Sequence, residues 1–168
     1  MKVQIETSAW SLLDSDPSSD TTGKTAIEKE AMEELIRIYE KEKSFEILIS
    51  QPVSDELNKS AKPARAKEFI IRHNLQKLEY DTFDGFILGS HKHGILGKSR
   101  LGAGEHPDSR LIDFVIKPSH SKDKDILKHN INNEVEYLIT FDSDFDKPKI
   151  KHMSKLPSEF LKEIKSKN

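Results

Sequence analysis

A chain of 168 residues is about one domain's worth, and 27 Lys and Arg against 29 Asp and Glu give a formal net charge of −2, which argues against a polycation that coats nucleic acid. The absence of cysteine excludes disulfides and thiolate zinc sites and fits a reducing cytoplasm. No signal-peptide pattern and no apolar run of membrane-spanning length is found, so the expected setting is cytoplasmic, with no membrane partner.

Taken in chain order, "KVQIETS" predicts a short first strand, Val3 to Ile5, ending in polar residues. The stretch "LLDSDPSSDTTGKT" concentrates Pro, Ser, Asp and Gly and predicts a loop. From Thr25 to Lys43, Ile27, Met32, Leu35, Ile36, Ile38 and Tyr39 recur at helical spacing. "FEILIS" (45–50) predicts a second strand, and Ser50 followed by Pro52 starts a helix over "QPVSDELNKS". Residues 63–73 predict another helix, and "LQKLEY" adds a short strand.

Six of the seven glycines fall between Gly85 and Gly104. Helix and strand interiors avoid glycine, so this stretch predicts a long loop or a pair of broken elements. Helical spacing returns in "PDSRLIDFVIK" (107–117) and "KDKDILKHNIN" (122–132). Tyr137, Leu138 and Ile139 form a β-prone run, after which Asp142, Asp144 and Asp146 stand at alternate positions. "IKHM" (150–153) predicts an edge strand and "LPSEFLKEIK" a closing helix.

Strands separated by helices predict an α/β fold, a three-layer sandwich with a mainly parallel central sheet. One domain spans residues 1–168, with a glycine-rich insertion or lid at about 84–106. In such sheets, sites form outside the carboxyl ends of the strands. Glu6 ends the first strand, Glu56 lies early in the helix after the second, Asp123 opens a helix, and Asp142 ends the acidic strand. All four are expected on one sheet edge. Such a carboxylate group suits Mg²⁺ or Mn²⁺, hard ions that polarise phosphoryl oxygens and activate water.

The segments "VQIETSAW", "ISQPVSDEL", "KDKDILKHNINNEVEYLITFDSDF" and "IKHMSKLPSEFLKEI" resemble the PIN-domain family, over most of the chain except roughly 80–121. The resemblance implies a metal-dependent endoribonuclease that cleaves single-stranded RNA, often as the toxin of a toxin–antitoxin pair. It implies Glu6, Glu56, Asp123 and Asp142 as catalytic and metal-binding acids, with Asp144 a further ligand and Thr140, close by, a nucleic-acid contact. It also implies a cognate antitoxin and a homodimer as assemblies. The family's first acid is usually aspartate, where this chain has Glu6, one methylene longer. That difference keeps open an alternative, a catalytically weak or inactive PIN-like binding or scaffold module.

Each feature also has an ordinary reading. Glu6 can cap the next helix, Asp123 can favour a helix start, and "DSDFD" can be a surface turn. Asp125 competes with Asp123, which is preferred because Ile126 and Asn130 at +3 and +7 place it on the buried stripe. His91, His93 and His106 invite a zinc reading on nonspecific spacing. Lys92, Lys98, Arg100 and Arg110 are expected phosphate contacts on the lid, and Trp10 is either a base-stacking residue or core.

Overall fold

The computed structural model describes residues 1–59, 63–77 and 120–167, together with Ile112, Val115 and Ile116. The glycine-rich segment lies outside the described residues, as do His91, His93, His106, Lys92, Lys98, Arg100 and Arg110.

Among the described residues the strands are β1 (Lys2–Ile5), β2 (Glu46–Ile49), β3 (Gln76–Lys77), β4 (Tyr137–Ile139) and β5 (Ser154–Lys155). They form one sheet in the order β3-β2-β1-β4-β5, and every neighbouring pair is parallel. The helices are α1 (Thr7–Ser11), α2 (Lys24–Glu42), α3 (Gln51–Lys59), α4 (Ala64–His73), α5 (Ser121–Asn132) and α6 (Pro157–Lys167). In the central strands even successive residues are buried: Val3, Gln4 and Ile5 in β1, and Ile47, Leu48 and Ile49 in β2. Side chains alternate between the two faces of a strand, so helices must cover both faces. The chain is a three-layer α/β sandwich, with α2 packed along α6 and α3 against α5.

Local chemistry sets the longest helix. Asp20 accepts hydrogen bonds from the backbone N–H groups of Thr22 at 2.8 Å and Thr25 at 2.6 Å, closing the loop before α2. Gly23, the residue at its start, has φ of +71°, a conformation that penalises any Cβ. Ala31, Met32, Leu35 and Ile38 then form the buried stripe.

A buried carboxylate joins α2 to α6. Glu28, only 3% exposed, accepts from the Ser158 backbone N–H at 2.9 Å and the Ser158 hydroxyl at 2.7 Å. Pro157 occupies the first position of α6, where the absent N–H costs nothing. The negative charge lies at the positive end of the helix dipole.

Two local expectations need correction. The edge strand is not Ile150–Met153: Lys151–Met153 is a 3-10 turn, and β5 is Ser154–Lys155, paired with Leu138 and Ile139. The Lys147 carbonyl takes the N–H groups of both Ile150 and Lys151 at 2.9 Å, so the chain is still turning there. The polar end of the first strand in turn begins a further helix, α1, too short for its periodicity to register. No helix among the described residues is long and apolar enough to cross a membrane.

Candidate metal centre

The strand order places β2 and β3 on one side of β1, and β4 and β5 on the other. The carboxyl ends of β1 and β4 therefore flank the point where the order reverses, where a crevice opens in parallel sheets. Directly beyond β1, the Glu6 backbone N–H donates to the Ile139 carbonyl at 2.9 Å, tying the two strand ends together.

Glu6 is buried, and one oxygen organises the junction. Its Oε2 accepts from the Ser8 N–H at 2.8 Å, from the Ser8 hydroxyl, and from the Thr140 hydroxyl at 3.2 Å. The first of these is the cap of α1, so the capping role read from the sequence is present. Burial pushes the Glu6 carboxyl above its ordinary pKa; the Ser8 and Thr140 hydrogen bonds oppose the shift, and the Asp142 charge adds to it.

The same hydrogen bonds shape the acidic turn. Thr140 Oγ1 accepts from the Asp142 N–H at 3.0 Å, and Ser8 Oγ accepts from the Phe141 N–H at 3.0 Å. Asp142 Oδ1 then accepts from the Asp144 N–H at 2.9 Å, capping the 3-10 turn Ser143–Phe145. Phe145 anchors this turn in the core. The three aspartates diverge. Asp142 holds the turn and is exposed, Asp144 faces α5, and Asp146 pairs on the surface with Lys151 at 2.9 Å. The surface-turn reading and the site reading thus describe different residues of one segment.

His120, at the start of α5, joins the turn to the helix. Its Nδ1 lies 2.7 Å from Asp144 Oδ2 and 3.2 Å from Asp123 Oδ2. One ligand atom from each of His120, Asp123 and Asp144 lies within 4.8 Å of the other two, and all three residues are half-buried. Burial raises the Asp123 carboxyl above the usual aspartate range; the His120 hydrogen bond opposes this, and the charges of Asp142 and Asp144 reinforce it. Two carboxylates and an imidazole, drawn from a helix start and the facing turn, suit a divalent cation.

Glu56 stands beside this group. It accepts from the Thr7 hydroxyl at 2.8 Å, next to Glu6, and pairs at 2.9 Å with Lys122, next to Asp123. The Lys122 ammonium is pushed above its usual pKa by that hydrogen bond and charge. Glu56 and Lys122 help line a cleft of about 350 Å³, with Gln51, Pro52, Asp55, Lys59 and Asp125.

Of the acids expected to share one ion, only Asp123 and Asp144 fall in the metal-competent group among the described residues; Glu6 and Asp142 reach it through charge and the Thr140 hydroxyl, and Glu56 through Thr7 and Lys122. Thr140, an expected RNA contact, is buried, with its hydroxyl engaged by Glu6 and Asp142. Trp10 is fully buried 5.7 Å from the Phe69 ring, so it is core and not a base-stacking platform. Sequence reasoning missed His120 because its second partner, Asp144, lies far along the chain; the local signal was a histidine three residues before Asp123. The chain matches no family model, no curated protein and no solved structure in comparisons with each.

Proposed function

We propose that this protein is a metal-dependent endoribonuclease that cleaves single-stranded RNA, with Mg²⁺ or Mn²⁺ as cofactor. The observation that carries the reading is the grouping of His120, Asp123 and Asp144 beyond β4, beside Asp142 and Glu6, at the reversal of strand order. A bound divalent ion supplies charge neutralisation at a phosphoryl oxygen and a water of lowered pKa. Asp123 and Asp144 hold the ion, and Asp142 fixes Asp144 by capping its turn. Glu6 positions the Thr140–Asp142 segment through Thr140 and Ser8. Lys122, on the rim, is suited to contact an RNA phosphate. The family resemblance extends the proposal to a toxin–antitoxin pair, with a cognate antitoxin as partner.

The test is incubation of the purified chain with labelled single-stranded RNA in Mg²⁺, Mn²⁺ or EDTA, beside folded Asp123→Asn and Asp142→Asn proteins. Cleavage that needs the ion and fails in both variants supports the reading. Intact RNA with either ion overturns it.

One observation favours a second reading, a PIN-like binding or scaffold module without catalysis: Glu6 Oε2 is already taken up by three donors. Calorimetry with Mn²⁺ separates the two, because an inactive module binds the ion weakly or not at all.

A further inference from the structure

A cleft of about 310 Å³ opens at the end of the sheet opposite the candidate centre. Glu134, Val135 and Glu136 lead into β4, and His152 and Met153 lead into β5, so the cleft sits at the amino ends of these parallel strands. Its remaining side is the end of α5, where Leu127, Asn130 and Ile131 fall at i, i+3 and i+4 on one face.

Asn130 points to a ligand. It is 5% exposed, and neither its Oδ1 nor its Nδ2 has a hydrogen-bond partner among the described residues. Its backbone carbonyl accepts from the Val135 N–H at 2.8 Å, so only the carboxamide is unmet. Buried polar groups in folded proteins are nearly always paired, because an unmet one gives up its hydration for nothing. A carboxamide presents a donor and an acceptor side by side. The N–H and C=O of an extended peptide residue present the matching pair.

The rest of the lining decides which polymer fits. Leu127, Ile131, Val135 and Met153 are apolar, and Glu134 and Glu136 are acidic. Among the described residues no lysine or arginine lines the cleft, and its other polar residue is His152. Such a field repels phosphate and attracts a cation. Glu136 already accepts from the Lys2 backbone N–H at 3.2 Å, whereas Glu134 is exposed. The closing turn of α5 fixes Glu134 there: its φ is +57°, and its N–H donates to the Ile131 carbonyl at 3.2 Å. We infer that this cleft binds an extended peptide segment bearing a basic side chain, with Asn130 holding the peptide's backbone and Glu134 its charge. The partner would lie away from the acidic turn after β4, so its binding does not depend on the nuclease reading.

The test titrates the full, ¹⁵N-labelled chain with two pools of capped pentapeptides, apolar at the flanks and carrying either Lys or Glu at the centre. Oligoadenylate is the third probe, and the Asn130 side-chain NH₂ signal is the readout. The expected result is a shift of that signal by the Lys pool, with affinity at least about threefold above the Glu pool, and none by oligoadenylate. Asn130→Leu removes donor and acceptor together; it should fold with equal or higher stability and bind the Lys pool about tenfold or more weakly. Glu134→Gln, at an exposed position, should bring the two pools to similar affinity. No shift from either pool, equal affinity of the two pools for the wild type, or a shift from oligoadenylate alone overturns the proposal. So does an Asn130→Leu chain that loses stability yet binds the peptides as before, the mark of a purely structural amide.

Discussion

Glu28 and Glu6 are both buried glutamates beside a helix start, and their surroundings differ in kind. Glu28 meets the backbone and hydroxyl of Ser158, so each carboxylate oxygen has a matched donor and the charge faces the favourable end of α6. Glu6 also has donors, but all converge on one oxygen, and the Asp142 charge lies close enough to oppose its ionisation. The first arrangement holds two helices together. The second caps α1 while carrying electrostatic stress, and perturbed groups of this kind are enriched where charge is used. The two carboxylates therefore differ in their neighbours, since the burial is similar.

The comparison breaks most sharply at Asp123. Asp123→Asn should lower ion-dependent RNA cleavage by about two orders of magnitude or more, while urea unfolding shows equal or higher stability because a partly buried charge, and with it the repulsion from Asp142 and Asp144, is removed. A joint loss of stability would class Asp123 with Glu28. Glu28→Ala should do the opposite. It leaves the Ser158 N–H and hydroxyl without their acceptor and costs about 2 kcal/mol in urea unfolding, with cleavage per folded molecule unchanged.

Glu6 sharpens the contrast through pH. A carboxyl whose folded pKa lies above its unfolded value holds its proton more tightly when folded. Its stabilising contribution is complete below the unfolded value of 4.5 and is lost as pH rises through the raised folded value. Glu6→Gln does not titrate, so unfolding measured from pH 4.5 upward should show the variant gaining stability relative to wild type. A pH-independent difference would refute the burial effect. The smallest effect is expected for the exposed Lys122→Ala: no measurable change in unfolding midpoint, with a raised KM for RNA that converges on wild type at high salt.

Much of the fold was legible because burial writes a period into sequence. The stripe Met32, Leu35, Ile38 and the apolar runs of β1, β2 and β4 each fixed an element without knowledge of the rest. The short elements were not legible. Helix α1 depends on a cap from Glu6, and β5 depends on where β4 ends, so their bounds are set by partners. The site divides in the same way. Asp123 was readable from its helix face, since Ile126 and Asn130 are buried on its stripe. His120 was not, because nothing near it in sequence announces Asp144.

The most direct test is an anomalous difference map from a crystal of the protein soaked in Mn²⁺. A single strong peak at ligand distance from the Asp123 and Asp144 carboxylates is the predicted result. A map with no peak there, or with manganese only at other surface acids, would contradict the account.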